Sequence, residues 1–256
     1  MKRTILSEKE LKFLENAVAT YGVIVTFEQL SKISTDKQRQ SVRNFTSKLS
    51  KKGWLVRIKR GVYFVAGIES LGFSGLSVYK TAQLLCAGCY VSFEAALQYH
   101  GMFDQGLKVI RSVSTNACKA KEIENVVYEF VKARGGLFYG FSEQRVENYL
   151  VKIASPEKAI LDILCFGRSV HSADLVLEKL KAYKDDLDLS RFKEYCSRQP
   201  VTVKRILGFL FDKAGIDSGF VYDAVKGIHN SSLMAAGSGK FNAKWRLYYD
   251  EHFDGE

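Results

Sequence analysis

Apolar residues recur every three or four positions through residues 8–52 and then gather in short strand-like runs, a switch from helical to strand patterning. Ser7 with Glu8 and Glu10 predicts a helix start, since a hydroxyl caps the first turn and acids suit its positive end. Leu11, Leu14, Ala17 and Val18 give that helix one apolar stripe, and Tyr21-Gly22 ends it. Thr26 caps a short second helix with Leu30 and Ile33 facing inward. Ser34-Thr35-Asp36 reads as a turn and cap for a third helix, which runs to about Lys52 and stops at Gly53. Residues 54–58 and 62–65 are strand-like and are split by Lys59-Arg60-Gly61, a glycine-containing hairpin connection.

Residues 66–77 hold Gly67, Gly72, Gly75 and three serines, the best candidate for a boundary. Beyond it the pattern predicts helices over 78–86 and 92–100, the second capped by Ser92. Short runs rich in β-branched and aromatic residues follow at 108–114, 126–131, 137–141 and 149–153, and predict a small sheet. Ser155-Pro156-Glu157 opens a helix with cap, proline and acid in order. Further helices are expected over 173–182, 190–198, 203–215 and 220–226, with a last strand at 245–249 returning to the sheet. The fold class expected is α+β: an N-terminal winged helix-turn-helix over 1–66, a linker over 67–77, and a larger mixed α/β domain with a small sheet over 78–256.

Charge sharpens this division. Residues 1–65 carry 14 Lys and Arg against 5 Asp and Glu, whereas the other 191 residues carry 24 against 23. Such an asymmetry is a statement about partners and points to a polyanion. A hydrophobic content of 46% supplies an ordinary core, and 256 residues suit two domains better than one. The N-terminus turns polar too soon for a signal peptide, and no apolar run approaches the roughly 18–20 residues of a membrane helix. Five irregularly spaced cysteines do not make a disulfide scaffold. The expectation is a cytoplasmic protein without membrane contact.

The third helix carries the candidate chemistry. Val42, Phe45 and Leu49 must face inward, which fixes Lys37, Gln40, Arg43, Asn44, Ser47 and Lys51 as the outer face. Arg43, Asn44 and Gln40 have the donor and acceptor sets that read guanine and adenine edges. Lys37, Lys48 and Lys51 suit phosphates, as point charges on flexible stems. Three helices followed by a basic hairpin is the order of a winged helix-turn-helix, with Arg57, Lys59 and Arg60 on the wing touching backbone or minor groove. From Asp36 to Arg60 there are nine basic residues and one acidic, which a merely solvated face does not require.

A set of segments also carries a family likeness. Lys59-Arg60-Gly61-Val62-Tyr63, then residues 90–97 (Tyr-Val-Ser-Phe-Glu-Ala-Ala-Leu) with His100-Gly101, then residues 154–162 (Ala-Ser-Pro-Glu-Lys-Ala-Ile-Leu-Asp), and finally Trp245-Arg246-Leu247 occur in this order. Together they resemble the AbiEi-type antitoxins of type IV abortive-infection toxin–antitoxin pairs. The resemblance implies a winged helix that represses its own operon by binding inverted repeats in double-stranded promoter DNA. It implies a C-terminal domain that counters a nucleotidyltransferase toxin without tightly capping it, and no catalytic residues or cofactor. On DNA the expected state is a monomer or weak self-association. The alternative is a winged-helix regulator whose larger domain binds an effector or protein, with no toxin.

Other motifs carry less. Cys86-Ala-Gly-Cys89 is half a zinc site, and a second tight pair is missing, so two part-buried thiols are expected there. Gly237-Ser-Gly-Lys240 lacks the earlier glycine and the trailing Ser or Thr of a phosphate loop. His100, His171, His229 and His252 are scattered, and Glu157 and Asp162 point apart along one helix. No metal site and no enzyme activity are expected.

Overall fold

The computed structural model describes residues 5–36, 38–67 and 77–255, so Lys37 and most of the expected linker lie outside the described residues. The chain divides after Ala87 into two units. In the first, α1 (Glu8–Tyr21), β1 (Ile24–Thr26), α2 (Phe27–Ile33) and α3 (Arg39–Lys51) precede the hairpin β2 (Leu55–Lys59) and β3 (Val62–Val65). The strands form one antiparallel sheet in the order β1-β3-β2. Two capping boxes, Ser7 with Glu10 and Thr26 with Gln29, start α1 and α2 and satisfy amides that would otherwise lack partners. Phe13, Leu14, Ala17, Val25, Leu30, Leu49, Trp54, Leu55 and Val65 form the core, so α1, α2, α3 and each strand contribute at least one side chain.

Three features of this unit depart from the sequence expectation. Strand β1 is three residues long, too short to show alternation, and exists because β3 offers it an open edge. The helix α4 (Val78–Leu85) packs on β2, so it belongs to the first unit and not to the second domain where the pattern placed it. Helix α3 begins at Arg39 without a side-chain cap; Asp36 instead accepts the Gln38 amide at 2.9 Å in the preceding turn.

The second unit holds a six-stranded mixed sheet of β4 (Tyr90–Val91), β5 (Val109–Ser114), β6 (Lys121–Ile123), β7 (Val126–Lys132), β8 (Phe141–Val146) and β9 (Tyr149–Ala154). Its order is β6-β7-β5-β4-β9-β8, with β5/β7 and β4/β9 parallel and the other pairs antiparallel. Helix α5 (Phe93–Tyr99) follows β4, and α6 (Pro156–Asp162) follows β9 and continues into a π-helical turn, Ile163–Gly167. Then come α7 (Val170–Ala182), α8 (Leu189–Cys196), α9 (Val201–Ala214) and α10 (Gly219–Asp223). A separate three-stranded sheet of β10 (Ser232–Leu233), β11 (Lys240–Asn242) and β12 (Leu247–Tyr249) packs on α9. The expected strand at 137–141 is instead a 3₁₀ turn, Gly135–Leu137, leading into β8, and the last strand joins the small sheet and not the main one.

All of α6 is buried, including Glu157, Lys158 and Asp162. Asp162 accepts from Ser92 Oγ at 2.7 Å and Tyr90 OH at 3.1 Å and is ion-paired with Lys158 one turn earlier. Ser92 therefore serves this buried node rather than capping α5, which has no side-chain cap. The Lys158 ammonium also lies 4.7 Å from the Tyr139 ring centroid. Burial pushes the Asp162 carboxyl upward, and Lys158 with the two hydroxyls opposes it. The fold is mixed α+β, and among the described residues no helix is long and apolar enough to cross a membrane.

Candidate nucleic-acid interface

Helix α3 is oriented by its apolar stripe. Val42, Thr46 and Leu49 are buried, and Phe45, half-buried, meets Phe13 edge-on at 5.0 Å. Thr46 fits among apolar neighbours because its hydroxyl donates to the Val42 carbonyl at 2.7 Å. With that face fixed inward, Gln40, Arg43, Asn44, Ser47, Lys48 and Lys51 are all exposed. Gln40 donates to the Asn44 side-chain carbonyl at 3.1 Å, one turn away. Their amides hold each other in one orientation and still leave donors and acceptors facing outward.

The basic residues of this helix fall into two groups. Lys52 and Lys48 reach Glu10 of α1 at 2.8 and 3.3 Å. Glu10 is 1% exposed. Burial raises its pKa, but hydrogen bonds from Lys52, the Ser7 amide and Lys48 outweigh this and hold it at about 2. The contact clamps α3 to α1 across 42 residues of sequence. Lys48, expected as a phosphate contact, thus has its charge already partnered, although it remains 62% exposed. Arg43 and Lys51 have no carboxylate within ion-pairing distance among the described residues, and neither does Arg39. Arg39 was not among the expected contacts. Its exposed guanidinium lies 6.0 Å from the Phe27 ring centroid, and its position at the helix start was the available signal.

The hairpin presents the second basic group. Arg57 and Arg60 are exposed and Lys59 is half-buried. A register shift between Arg57 and Lys59 breaks the alternation of β2. The tip turns through Gly61, whose φ of 76° is open to glycine at little cost. The Gly61 carbonyl accepts the Phe27 amide at 2.8 Å, so the tip is tied to the start of α2. The structure therefore carries the expected residues on two elements of one unit, α3 and the β2–β3 hairpin, with Lys37 outside the described residues.

Several residues of the other motifs make local contacts. His100 Nε2 lies 2.9 Å from the Ala154 carbonyl, and His252 pairs with Asp174 at 3.0 Å. Glu157 Oε1 accepts the Asp188 amide at 3.0 Å. Gly237 turns the chain at φ 83°, and Lys240 pairs with Asp254 at 3.5 Å. The expected pair of thiols is not a pair: Cys86 is disulfide-bonded, and Cys89 is a buried thiol outside any disulfide, whose pKa burial pushes up to about 12.

No family model matches the chain, and no curated protein matches it. Among solved structures, the crystal structure of the RV2827C protein from Mycobacterium tuberculosis is similar over 96% of this chain and 92% of its own, with a TM-score of 0.65 at 15% identity. The likeness is one of fold.

Proposed function

We propose that the first unit is a winged helix-turn-helix that binds double-stranded DNA, with α3 entering the major groove and the β2–β3 hairpin acting as the wing. One observation carries the reading: the exposed face of α3 is free of acids, and its cations Arg39, Arg43 and Lys51 are unpaired among the described residues. Charge kept for solubility needs no single sign and is ordinarily interspersed with acids. Arg43, Asn44 and Gln40 supply base-edge chemistry; Lys51, Lys59 and Arg60 supply phosphate contacts. With the segment likeness to AbiEi-type antitoxins, the reading extends to an autorepressor whose second unit counters a nucleotidyltransferase toxin. It assigns no catalytic step to either unit.

Gel shifts with the DNA upstream of its own gene test the proposal. Specific binding is expected to fall steeply with salt as phosphate contacts release counterions. Arg43→Ala is expected to weaken specific binding by roughly 1–3 kcal/mol and to spare random DNA, whereas Lys59→Ala weakens both alike. Equal affinity for upstream and random DNA would overturn the operator claim. A nucleotidyltransferase reading frame beside the gene supports the antitoxin role, and its absence favours a regulator without a toxin.

A further inference from the structure

Arg205 of α9 is 1% exposed, yet its guanidinium meets only neutral acceptors. It donates to Ser232 Oγ at 3.0 Å, the Ile228 carbonyl at 2.9 Å and Asn230 Oδ1 at 3.4 Å. Among the described residues no carboxylate lies within ion-pairing distance of it. A buried cation is ordinarily paired, because leaving water without a counter-charge costs several kcal/mol. Arg205 lines a small pocket of about 200 Å³, shared with Arg246, Lys226, His229 and Lys244.

The charges in this pocket are not equivalent. Lys226 is paired with Asp223 at 2.7 Å and Lys244 with Asp212 at 2.8 Å. Arg246 is exposed, its Nε donates only to the Asn230 carbonyl at 3.4 Å, and it has no acidic partner among the described residues. Two guanidinium groups thus converge on Asn230 with their charge uncompensated. Burial, then the nearby charge of Arg246, depresses the pKa of Arg205, a sign that the two cations repel. A guanidinium stays charged regardless, so the repulsion is not relieved by losing a proton. Arg246 also sits at φ 49°, a conformation costly for a residue with a Cβ, in the turn that follows Trp245.

We propose that this pocket of the second unit is a phosphate-binding site, in which Arg205 and Arg246 hold one phosphoryl group. Two unneutralised cations match a dianion, and guanidinium forks match the several acceptor oxygens of phosphate. The volume decides the size of ligand. Sites for drug-sized molecules span about 300–1,000 Å³, so this pocket takes a phosphoryl group and leaves any larger substituent outside. The phosphate can be free, carried on a small ester, or part of a nucleic-acid backbone; the chemistry at the two arginines is the same. The inference stands independently of DNA binding by α3.

Isothermal titration of the full chain with inorganic phosphate at fixed ionic strength tests it. The expected result is a saturable one-to-one isotherm, weakened about tenfold or more in Arg246→Gln through loss of a charged hydrogen bond. Lys184→Gln removes a charge from an exposed turn outside the pocket and should leave the isotherm unchanged. Arg205→Met should abolish binding; because that variant can fail to fold, the exposed Arg246 is the deciding position. Repeating the titration with adenosine monophosphate and a random duplex identifies the source: tighter binding of either, lost in Arg246→Gln, names the carrier. No saturable binding of inorganic phosphate, or equal affinity in wild type and Arg246→Gln, overturns the proposal.

Discussion

Gly208→Ala places a methyl group where α9 meets the indole of Trp245. A Cβ at that position would lie 2.6 Å from Trp245 Cζ2 and closer still to Cη2 and Cζ3. Two effects oppose each other. Alanine is better than glycine in a helix interior by about 1 kcal/mol. The ring, however, has nowhere to go: it is fully buried, its Nε1 donates to Asp212 at 2.7 Å, and Tyr222 stands edge-on at 5.9 Å. Overpacking of this kind costs about 1–3 kcal/mol. Displacing the indole also loosens a hydrogen bond to a charged group, worth about 1.5–3 kcal/mol. The clash therefore outweighs the propensity gain, and a net destabilisation of about 3 kcal/mol is expected. Guanidinium unfolding followed by far-ultraviolet circular dichroism measures it. In a Trp245→Leu background the same substitution should become neutral or stabilising, because the obstructing ring is gone. An alanine variant as stable as the parent, with Trp245 present, would refute the reasoning. The outcome also bears on the phosphate pocket, since Trp245 fixes the turn that presents Arg246.

Other measurements probe the buried charges and the clamp on α3. Asp162→Asn or Lys158→Met alone should each cost about 3–5 kcal/mol by stranding a buried charge, whereas Lys158→Met with Asp162→Leu recovers most of the loss; equal costs in the single and double variants would contradict this. Glu10 has a folded pKa of about 2 against 4.5 in a free chain. Its contribution is therefore present above about pH 4.5 and is lost as pH falls toward 2. Allowing for solvent around the exposed Lys48, Glu10→Gln should remove about 1–2 kcal/mol near pH 7 and progressively less as pH falls through about 2, read by acid titration of Trp54 fluorescence in a Trp245→Phe background. Gly61→Ala should lower stability by about 1 kcal/mol at the hairpin tip, where φ is 76°; an unchanged unfolding midpoint would show that the turn does not need glycine.

Several elements were legible because their causes are local. The Ser7 and Thr26 caps and the Ser155-Pro156 helix opening each lie within four residues, so spacing alone reveals them. The inward stripe of α3 was readable for the same reason, and with it the exposed identity of Gln40, Arg43, Asn44, Ser47 and Lys51. Short edge elements were not readable: β1 and β6 have three residues each and depend on a neighbour to hydrogen-bond them. The placement of α4 followed from its packing on β2, about which a stretch of glycine and serine before it says nothing. Lys48 looked like any other outward lysine until Glu10, 38 positions earlier, was seen to claim it.

By itself, the sequence determined the periodicities, the helix starts capped by Ser7, Thr26 and Ser155, the α+β class and the concentration of positive charge in the first quarter, because these depend on neighbours along the chain. Tertiary structure alone decided which charges are spoken for. Residues far apart in sequence meet only after the backbone is folded, and a charge's meaning depends on what it meets. Glu10 draws in Lys48 and Lys52, and Asp162 draws in Lys158, Tyr90 and Ser92. Arg205 and Arg246, unremarkable in a region of near-zero net charge, converge on Asn230 with no carboxylate between them. Counting charges along a chain measures their sum, while binding depends on the few that folding leaves uncompensated.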